Sequence, residues 1–179
     1  FRVEHPQGLI DRARFGPNRA FPNARGDGSR RARADATVSA MAPATRTVRS
    51  PLLGLDFEVF EGDAYIGPAI ERGAWEEHET ALFRAHLEPG ARVLDLGANV
   101  GWFGALAVLA GCDVDCFEPV PRIADVCERN LARAMAKGKG KAVLHRCGAS
   151  DRAGTARIAL ARSNFGDNRV LDGGTSAPA

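Results

Sequence analysis

The sequence predicts an α/β fold with a doubly wound parallel sheet. Strand-like apolar runs alternate with segments of helical periodicity, in the order 91–96, 102–110, 112–117, 121–137 and 142–147. Strands that alternate with helices in this way form parallel sheets with right-handed crossovers. Asp95 lies near the end of the first run, and a turn with Gly97 and Gly101 follows, at the sheet edge where α/β folds bind ligands. The pattern therefore indicates an enzyme domain.

Length and charge favour a single domain with two extensions. The chain has 179 residues, of which 45% are hydrophobic, enough for one core. Residues 1–50 hold 10 basic and 4 acidic residues among many Pro, Gly and Ser, and we predict a disordered Arg-rich extension. Because Met41 precedes the first globular-looking sequence, residues 1–40 are also interpretable as upstream translation. Residues 51–170 are the predicted domain, and residues 171–179 a disordered tail.

Composition also limits the partners and the location. Residues 51–179 hold 14 basic and 18 acidic residues, which disfavours a nucleic-acid partner for the folded part. The chain contains no run of 18 apolar residues and no secretory pattern at its start, so we expect no membrane span and a cytoplasmic protein. The four cysteines, Cys112, Cys116, Cys127 and Cys147, form no Cys-x-x-Cys pair. We expect buried thiols there, with no metal site and no disulfide.

The elements before the sheet follow from two patterns. Residues 53–60 alternate apolar and polar side chains, which is typical of a half-exposed strand. Residues 75–87 have helical periodicity, and Pro89 and Gly90 end the helix. Its apolar face is predicted to consist of Trp75, Leu82, Phe83 and Leu87. This helix leads into the sheet.

The segment after the second strand of the sheet is predicted to form a helix with clear end signals. Pro121 marks its start and Gly138 its end. The side chains expected to face inward are Ile123, Val126, Cys127, Leu131 and Met135. A further strand is predicted at residues 155–160, after the third strand of the sheet.

The turn after Asp95 differs from a dinucleotide site. Asn99 occupies the place of the second glycine of that fingerprint, and Gly104 comes later than its third glycine should. A carboxylate facing the turn would repel a pyrophosphate but suits an ammonium-bearing ligand. Glu118 ends the next strand, 23 residues after Asp95, where a carboxylate can accept two hydrogen bonds from a ribose diol. The structural alternative for both acids is that they cap helix amino ends.

These motifs resemble the S-adenosylmethionine site of class I methyltransferases, specifically of the FkbM family. Residues 95–101 read DLGANVG and residues 117–119 read FEP, the combination typical of that family. The similarity extends over residues 55–170, with supporting matches at 73–79, 148–154 and 164–167. The resemblance implies a Rossmann-like methyltransferase sheet. It also implies a methyl transfer from S-adenosylmethionine to a hydroxyl of a small molecule, sugar or lipid-linked group.

The resemblance implies a role for each residue of the motifs. Gly97, Ala98 and Gly101 would pack under the methionine part, with Asp95 near its ammonium group, and Trp75 and Glu79 would close the site. Glu118 would hold the ribose hydroxyls, Pro119 would shape the adenine wall, and Ser150 or Asp151 would contact the adenine. The full predicted cofactor-binding set is Asp95, Gly97, Ala98, Asn99, Gly101, Glu118, Pro119, Ser150 and Asp151. His78, His86 and His145 are the available neutral-pH bases, but His86 on a helix and His145 in a strand favour structural roles, and no catalytic base is assigned.

Further strands of the family pattern have no match in this sequence, so we expect an incomplete sheet with an unprotected edge. Two other functions remain open. One is a non-catalytic remnant that binds the cofactor without methyl transfer. The other is an NAD(P)-dependent oxidoreductase, which the glycine spacing disfavours.

Overall fold

The computed structural model describes residues 44–150, the backbone of residues 2–4, and residues 158–159, 161, 164 and 166–170. The strands are β1 (Arg2–Glu4), β2 (Thr45–Ser50), β3 (Leu55–Phe60), β4 (Arg92–Leu96), β5 (Asp113–Phe117), β6 (Lys141–His145), β7 (Ile158–Ala159) and β8 (Arg169–Val170). The helices are α1 (Ile66–Arg72), α2 (Glu77–Ala85), α3 (Trp102–Leu109) and α4 (Pro121–Met135). None of the described helices is long and apolar enough to cross a membrane.

The centre of the molecule is a sheet with the strand order β1-β4-β5-β6. Strands β4, β5 and β6 are parallel, and Asp95, Cys116 and Leu144 are in register across them. Strand β1 is antiparallel to β4. Helix α3 connects β4 to β5 and helix α4 connects β5 to β6, so the predicted α/β fold with a parallel sheet is confirmed.

One face of this sheet is covered by helices. Val93, Asp95, Val114 and Cys116 alternate onto that face and are buried. Helices α3 and α4 pack against each other there, because the three parallel strands follow in chain order. Leu96 points to the opposite face and is half exposed. Double winding stays a prediction, since the described part of the chain shows α3 and α4 in one layer.

The helices agree with the sequence patterns in position and differ in detail. Helices α3 and α4 begin at the predicted residues, and α2 is shorter than the predicted 75–87. Met135 is 39% exposed instead of inward, because it lies in the last turn of α4. Leu82 is 60% exposed, while its neighbour Phe83 is buried against Phe103. The apolar face of α2 is therefore narrower than expected.

Helix α1 was not predicted. It has only 7 residues and includes Gly67 and Pro68, which weaken the helical pattern. The carboxylate Oδ1 of Asp63 accepts hydrogen bonds from the backbone N–H groups of Tyr65 and Ile66, at 2.8 and 2.7 Å. These bonds start the helix, and tertiary packing of Ile66 and Ile70 stabilises it.

The domain boundary predicted at residue 50 is wrong in one respect. Residues 45–50, placed in the disordered extension, form β2, which pairs with β3 in an antiparallel ribbon. The reason is that Val48 and Ser50 alternate inward and are buried there. The backbone of residues 2–4 also forms a strand. The rest of the predicted extension and the predicted tail, residues 171–179, lie outside the described residues.

A buried polar network joins the β2–β3 ribbon to helix α4. The side-chain amide of Asn130 donates to the carbonyls of Glu58 and Val100, at 2.9 and 2.8 Å, and its oxygen accepts from the Glu58 N–H at 2.7 Å. The carboxylate of Glu58 is held by both Nε and Nη2 of Arg129, at 2.8 and 2.7 Å. This paired arrangement lowers the pKa of Glu58 to about 2. The network fixes the ribbon against the turn after β4.

Candidate functional site

The turn after β4 is anchored on the end of β5. The backbone N–H groups of Gly97 and Ala98 both donate to the carbonyl of Phe117, at 2.9 Å each. Gly97, Asn99 and Gly101 have φ values of +86°, +48° and +88°, in the left-handed region that favours glycine. A Cβ at Gly101 would lie 3.1 Å from Cys127 Sγ, whereas a Cβ at Gly97 would meet nothing within 4 Å. The turn therefore packs on α4 at Gly101 and faces open space at Gly97.

Asp95 lies beneath this turn and is only 4% exposed. Its Oδ2 accepts a hydrogen bond from the N–H of Gly104 in the first turn of α3, at 3.1 Å, and the Cys116 thiol lies 3.9 Å away. Burial raises the pKa of Asp95 to about 6, although the bond from Gly104 acts in the opposite direction. The structure thus places Asp95 at the amino end of α3 as a hydrogen-bond acceptor, outside the set of residues that line the cavity described below.

We expect Asp95→Asn to change how stability depends on pH. The pKa of Asp95 in the folded state lies above its ordinary value of 3.8, so protonation of Asp95 favours folding. This stabilisation is fully present below pH 3.8 and is lost as the pH rises through about 6. Relative to the Asn variant, the wild type should therefore lose about 1–3 kcal/mol of unfolding free energy between about pH 4.5 and pH 8. Urea denaturation of both proteins at the two pH values measures this difference. If the difference in unfolding free energy between the two proteins did not change with pH, the raised pKa of Asp95 would be contradicted.

Glu118 follows β5 and is also buried, with 6% exposure. Its Oε2 accepts from the N–H of Asn99 at 3.0 Å and its Oε1 accepts from the N–H of Val120 at 2.8 Å. Burial raises the pKa of Glu118. Each carboxylate oxygen can accept about two hydrogen bonds, so both retain capacity for a further donor. Glu118 therefore both fixes the turn and offers acceptors beside it.

Two other predicted residues, Pro119 and Ser150, follow the ends of β5 and β6. A Cβ at Gly148 would lie 3.9 Å from the Cβ of Pro119, so the segment after β6 passes beside Pro119. Ser150 follows on this segment and is exposed. Asp151 lies outside the described residues.

A cavity of about 290 Å³ lies over the turn. Its walls combine apolar and aromatic side chains with oxygen-bearing groups. The residues that line it are Ile66, Trp75, Glu76, Gly97, Ala98, Asn99, Val100, Trp102, Phe103, Asn164, Gly166 and Asp167. No lysine or arginine occurs among these described lining residues. The cavity thus presents hydrogen-bond acceptors and negative charge to a ligand.

A short hydrogen-bond chain positions one wall of the cavity. The indole Nε1–H of Trp102 donates to Oγ1 of Thr80 at 2.9 Å, and the Thr80 hydroxyl donates to the carbonyl of Trp75 at 2.8 Å. Thr80 is buried. Trp75 and Glu76 line the cavity, whereas Glu79, which the resemblance places at the site, is not among the described lining residues. The sequence periodicity of strands and helices could not identify Glu76 as a cavity residue, because Glu76 lies in the turn before α2.

His78, His86, His145 and the four cysteines are not among the described residues that line the cavity. His145 Nε2 is 2.8 Å from Asp115 Oδ1, and its ring stacks on Phe117 at 4.5 Å. His86 Nδ1 is 2.8 Å from a carbonyl of its own helix, and His78 is exposed. The cysteines are free: Cys112, Cys116 and Cys127 are buried, and Cys147 is exposed. The part of the chain that the structure describes contains no cluster of His, Cys, Asp and Glu able to hold a metal ion.

No protein-family model and no curated protein matches the sequence. Solved structures with a similar arrangement include Pyrococcus horikoshii TYW2 in complex with MeSAdo, at 14% identity over 63% of this chain and 39% of that chain, with a TM-score of 0.47. A TehB-like SAM-dependent methyltransferase from Corynebacterium glutamicum is 22% identical over 44% of this chain and 39% of its own, with a TM-score of 0.35. A SAM-dependent methyltransferase from Thiobacillus denitrificans, in complex with S-adenosyl-L-homocysteine, is 25% identical over 38% and 29%, with a TM-score of 0.32. This chain spans less than two fifths of the length of each of these proteins.

Proposed function

We propose that this chain is the cofactor-binding part of an S-adenosylmethionine-dependent methyltransferase of the FkbM family. The observation that carries the proposal is the cavity over the turn of residues 97–101. Its described lining residues include the acidic Glu76 and Asp167 and no lysine or arginine. A sulfonium and an ammonium group, both positively charged, suit such a lining, whereas a pyrophosphate would be repelled. The same observation disfavours a nicotinamide dinucleotide.

The described residues fit this cofactor at the methionine end. Gly97 leaves open space at the turn, so a ligand can approach the backbone closely. The side-chain Oδ1 of Asn99 is buried and has no hydrogen-bond partner among the described residues. Because a buried acceptor without a donor costs about 1–3 kcal/mol, a ligand N–H at this point would relieve that cost. We assign Asn99 Oδ1 and the turn to the aminoacyl part of the cofactor.

The ribose and adenine are assigned to the ends of β5 and β6. Glu118 retains acceptor capacity on both oxygens, which suits a vicinal diol. Pro119 and the segment that leads to Ser150 and Asp151 would form the adenine side. Asp95 would act indirectly by fixing the position of α3, since its carboxylate accepts a hydrogen bond from the N–H of Gly104.

When bound, S-adenosylmethionine supplies an activated methyl group, so the protein contributes mainly orientation. Trp75 and Phe103 enclose the cavity and would exclude water from the ligand. We propose a hydroxyl of a small molecule, sugar or lipid-linked compound as the acceptor, in a cytoplasmic setting. The negative lining favours neutral or cationic acceptors over phosphorylated ones.

Intrinsic fluorescence tests this proposal directly. The chain has 2 tryptophans, Trp75 and Trp102, and both line the cavity. We expect titration with S-adenosylhomocysteine to change their emission saturably, and titration with NAD⁺ to leave it unchanged after correction for absorbance. A saturable response to NAD⁺ with none to S-adenosylhomocysteine would contradict the proposed methyltransferase function and support an oxidoreductase.

A further inference from the structure

Glu76 occupies an unusual position at the cavity. Its backbone has φ +42° and ψ +60°, a left-handed conformation that costs a residue with a Cβ about 1–2 kcal/mol. The residue stands at the amino end of α2, yet its carboxylate makes no capping hydrogen bond to that helix. Glu76 is exposed and is one of the residues that line the cavity. The carboxylate is therefore available to a ligand.

The position of Glu76 is fixed from two sides. Its carbonyl accepts a hydrogen bond from the N–H of Thr80 at 2.7 Å. The carbonyl of the preceding Trp75 accepts from the hydroxyl of the same threonine, which is itself held by Trp102. Thr80 thus holds two consecutive peptide groups, so Glu76 does not depend on a ligand for its placement.

Glu76 also carries the unneutralised charge of the cavity lining. The other lining carboxylate, Asp167, is paired with Arg169 at 3.0 Å. No ion pair of Glu76 occurs in the described part of the chain. Although the residue is exposed, partial burial of its carboxyl group, together with the nearby charge of Glu79, raises the pKa of Glu76. A positive charge on a ligand would supply a cationic partner.

We propose that Glu76 makes the site discriminate between the charged and neutral forms of the cofactor. S-adenosylmethionine and S-adenosylhomocysteine differ by one methyl group and one positive charge on sulfur, and Glu76 would favour the charged form. This inference rests on the proposed function. It assigns Glu76 as a specificity-determining residue that holds the methyl donor more tightly than the product.

Isothermal titration calorimetry with both ligands tests the inference on the full chain. We expect the wild type to bind S-adenosylmethionine about threefold to tenfold more tightly than S-adenosylhomocysteine, the size expected for one partly exposed charge pair. Glu76→Gln should lose this preference, with its affinity for S-adenosylhomocysteine changed by less than about twofold. Glu77→Gln, at the first residue of α2 and outside the described cavity lining, is the matched control and should keep the preference.

The possible outcomes separate the two proposals. Binding of both ligands to Glu76→Gln with the wild-type ratio would overturn the role of Glu76 and leave the proposed function intact. Failure of the wild type to bind either ligand would overturn both. Glu76→Asp retains the charge and should retain the preference, which distinguishes a loss of charge from a distortion of the backbone.

Discussion

Replacing Asn130 by alanine is expected to lower the free energy of unfolding by about 3 kcal/mol or more. The side chain is fully buried and joins helix α4 to strand β3 and to the turn after β4. Its removal leaves the N–H and carbonyl of Glu58 and the carbonyl of Val100 without this partner. Water cannot easily replace the amide in a site of this burial, so each group carries a desolvation cost. Urea denaturation with a constant m-value measures the loss.

Lys137→Ala provides the matched control for this prediction. Lys137 Nζ also donates to a backbone carbonyl, that of Gly54 at 2.7 Å, but this bond is exposed. We expect a loss of less than about 1 kcal/mol, because water replaces the lost donor. Equal losses for the two variants would show that burial of the Asn130 network is not what stabilises the ribbon.

Gly97→Ala is expected to weaken the binding of S-adenosylhomocysteine about tenfold or more. The methyl group would meet no protein atom within 4 Å, so it would project into the open space over the turn that we assign to the ligand. The left-handed φ of +86° also adds strain of about 1–2 kcal/mol. Calorimetric titration measures the affinity, and urea denaturation measures the strain.

Gly90→Ala separates these two effects. Gly90 has nearly the same φ, +83°, and a Cβ there would likewise meet nothing within 4 Å, but it lies in the turn before β4. We expect both variants to lose about 1–2 kcal/mol of stability and only Gly97→Ala to lose affinity. If Gly97→Ala and Gly90→Ala bound S-adenosylhomocysteine with equal affinity, the ligand would lie away from Gly97.

The parallel sheet was well predicted because its strands and helices have clear and different patterns of apolar residues in the sequence. Strands β4, β5 and β6 are short apolar runs bounded by turn residues, and α4 shows strong helical periodicity between Pro121 and Gly138. Strand β2 and helix α1 were missed because both are short and depend on contacts with distant residues. Local composition carries little information about such contacts.

The candidate site was predicted in part. The turn of residues 97–101 and Glu118 lie together, since the carboxyl ends of β4 and β5 are neighbours in the sheet. Asp95 lies on the helix-covered face with Val93, as the alternation of side chains along a strand requires. The wall formed by Glu76 and Phe103 arises from the packing of α2 against α3, which no local pattern encodes.

Binding of the cofactor at the turn of residues 97–101 is tested by calorimetric titration of S-adenosylhomocysteine into the 179-residue chain, in parallel with the Gly97→Ala variant. We expect saturable binding to the wild type with a dissociation constant of about 1–100 µM, and affinity at least about tenfold weaker for the variant. No binding to the wild type at about 1 mM ligand, or equal affinity for both proteins, would contradict binding at this turn.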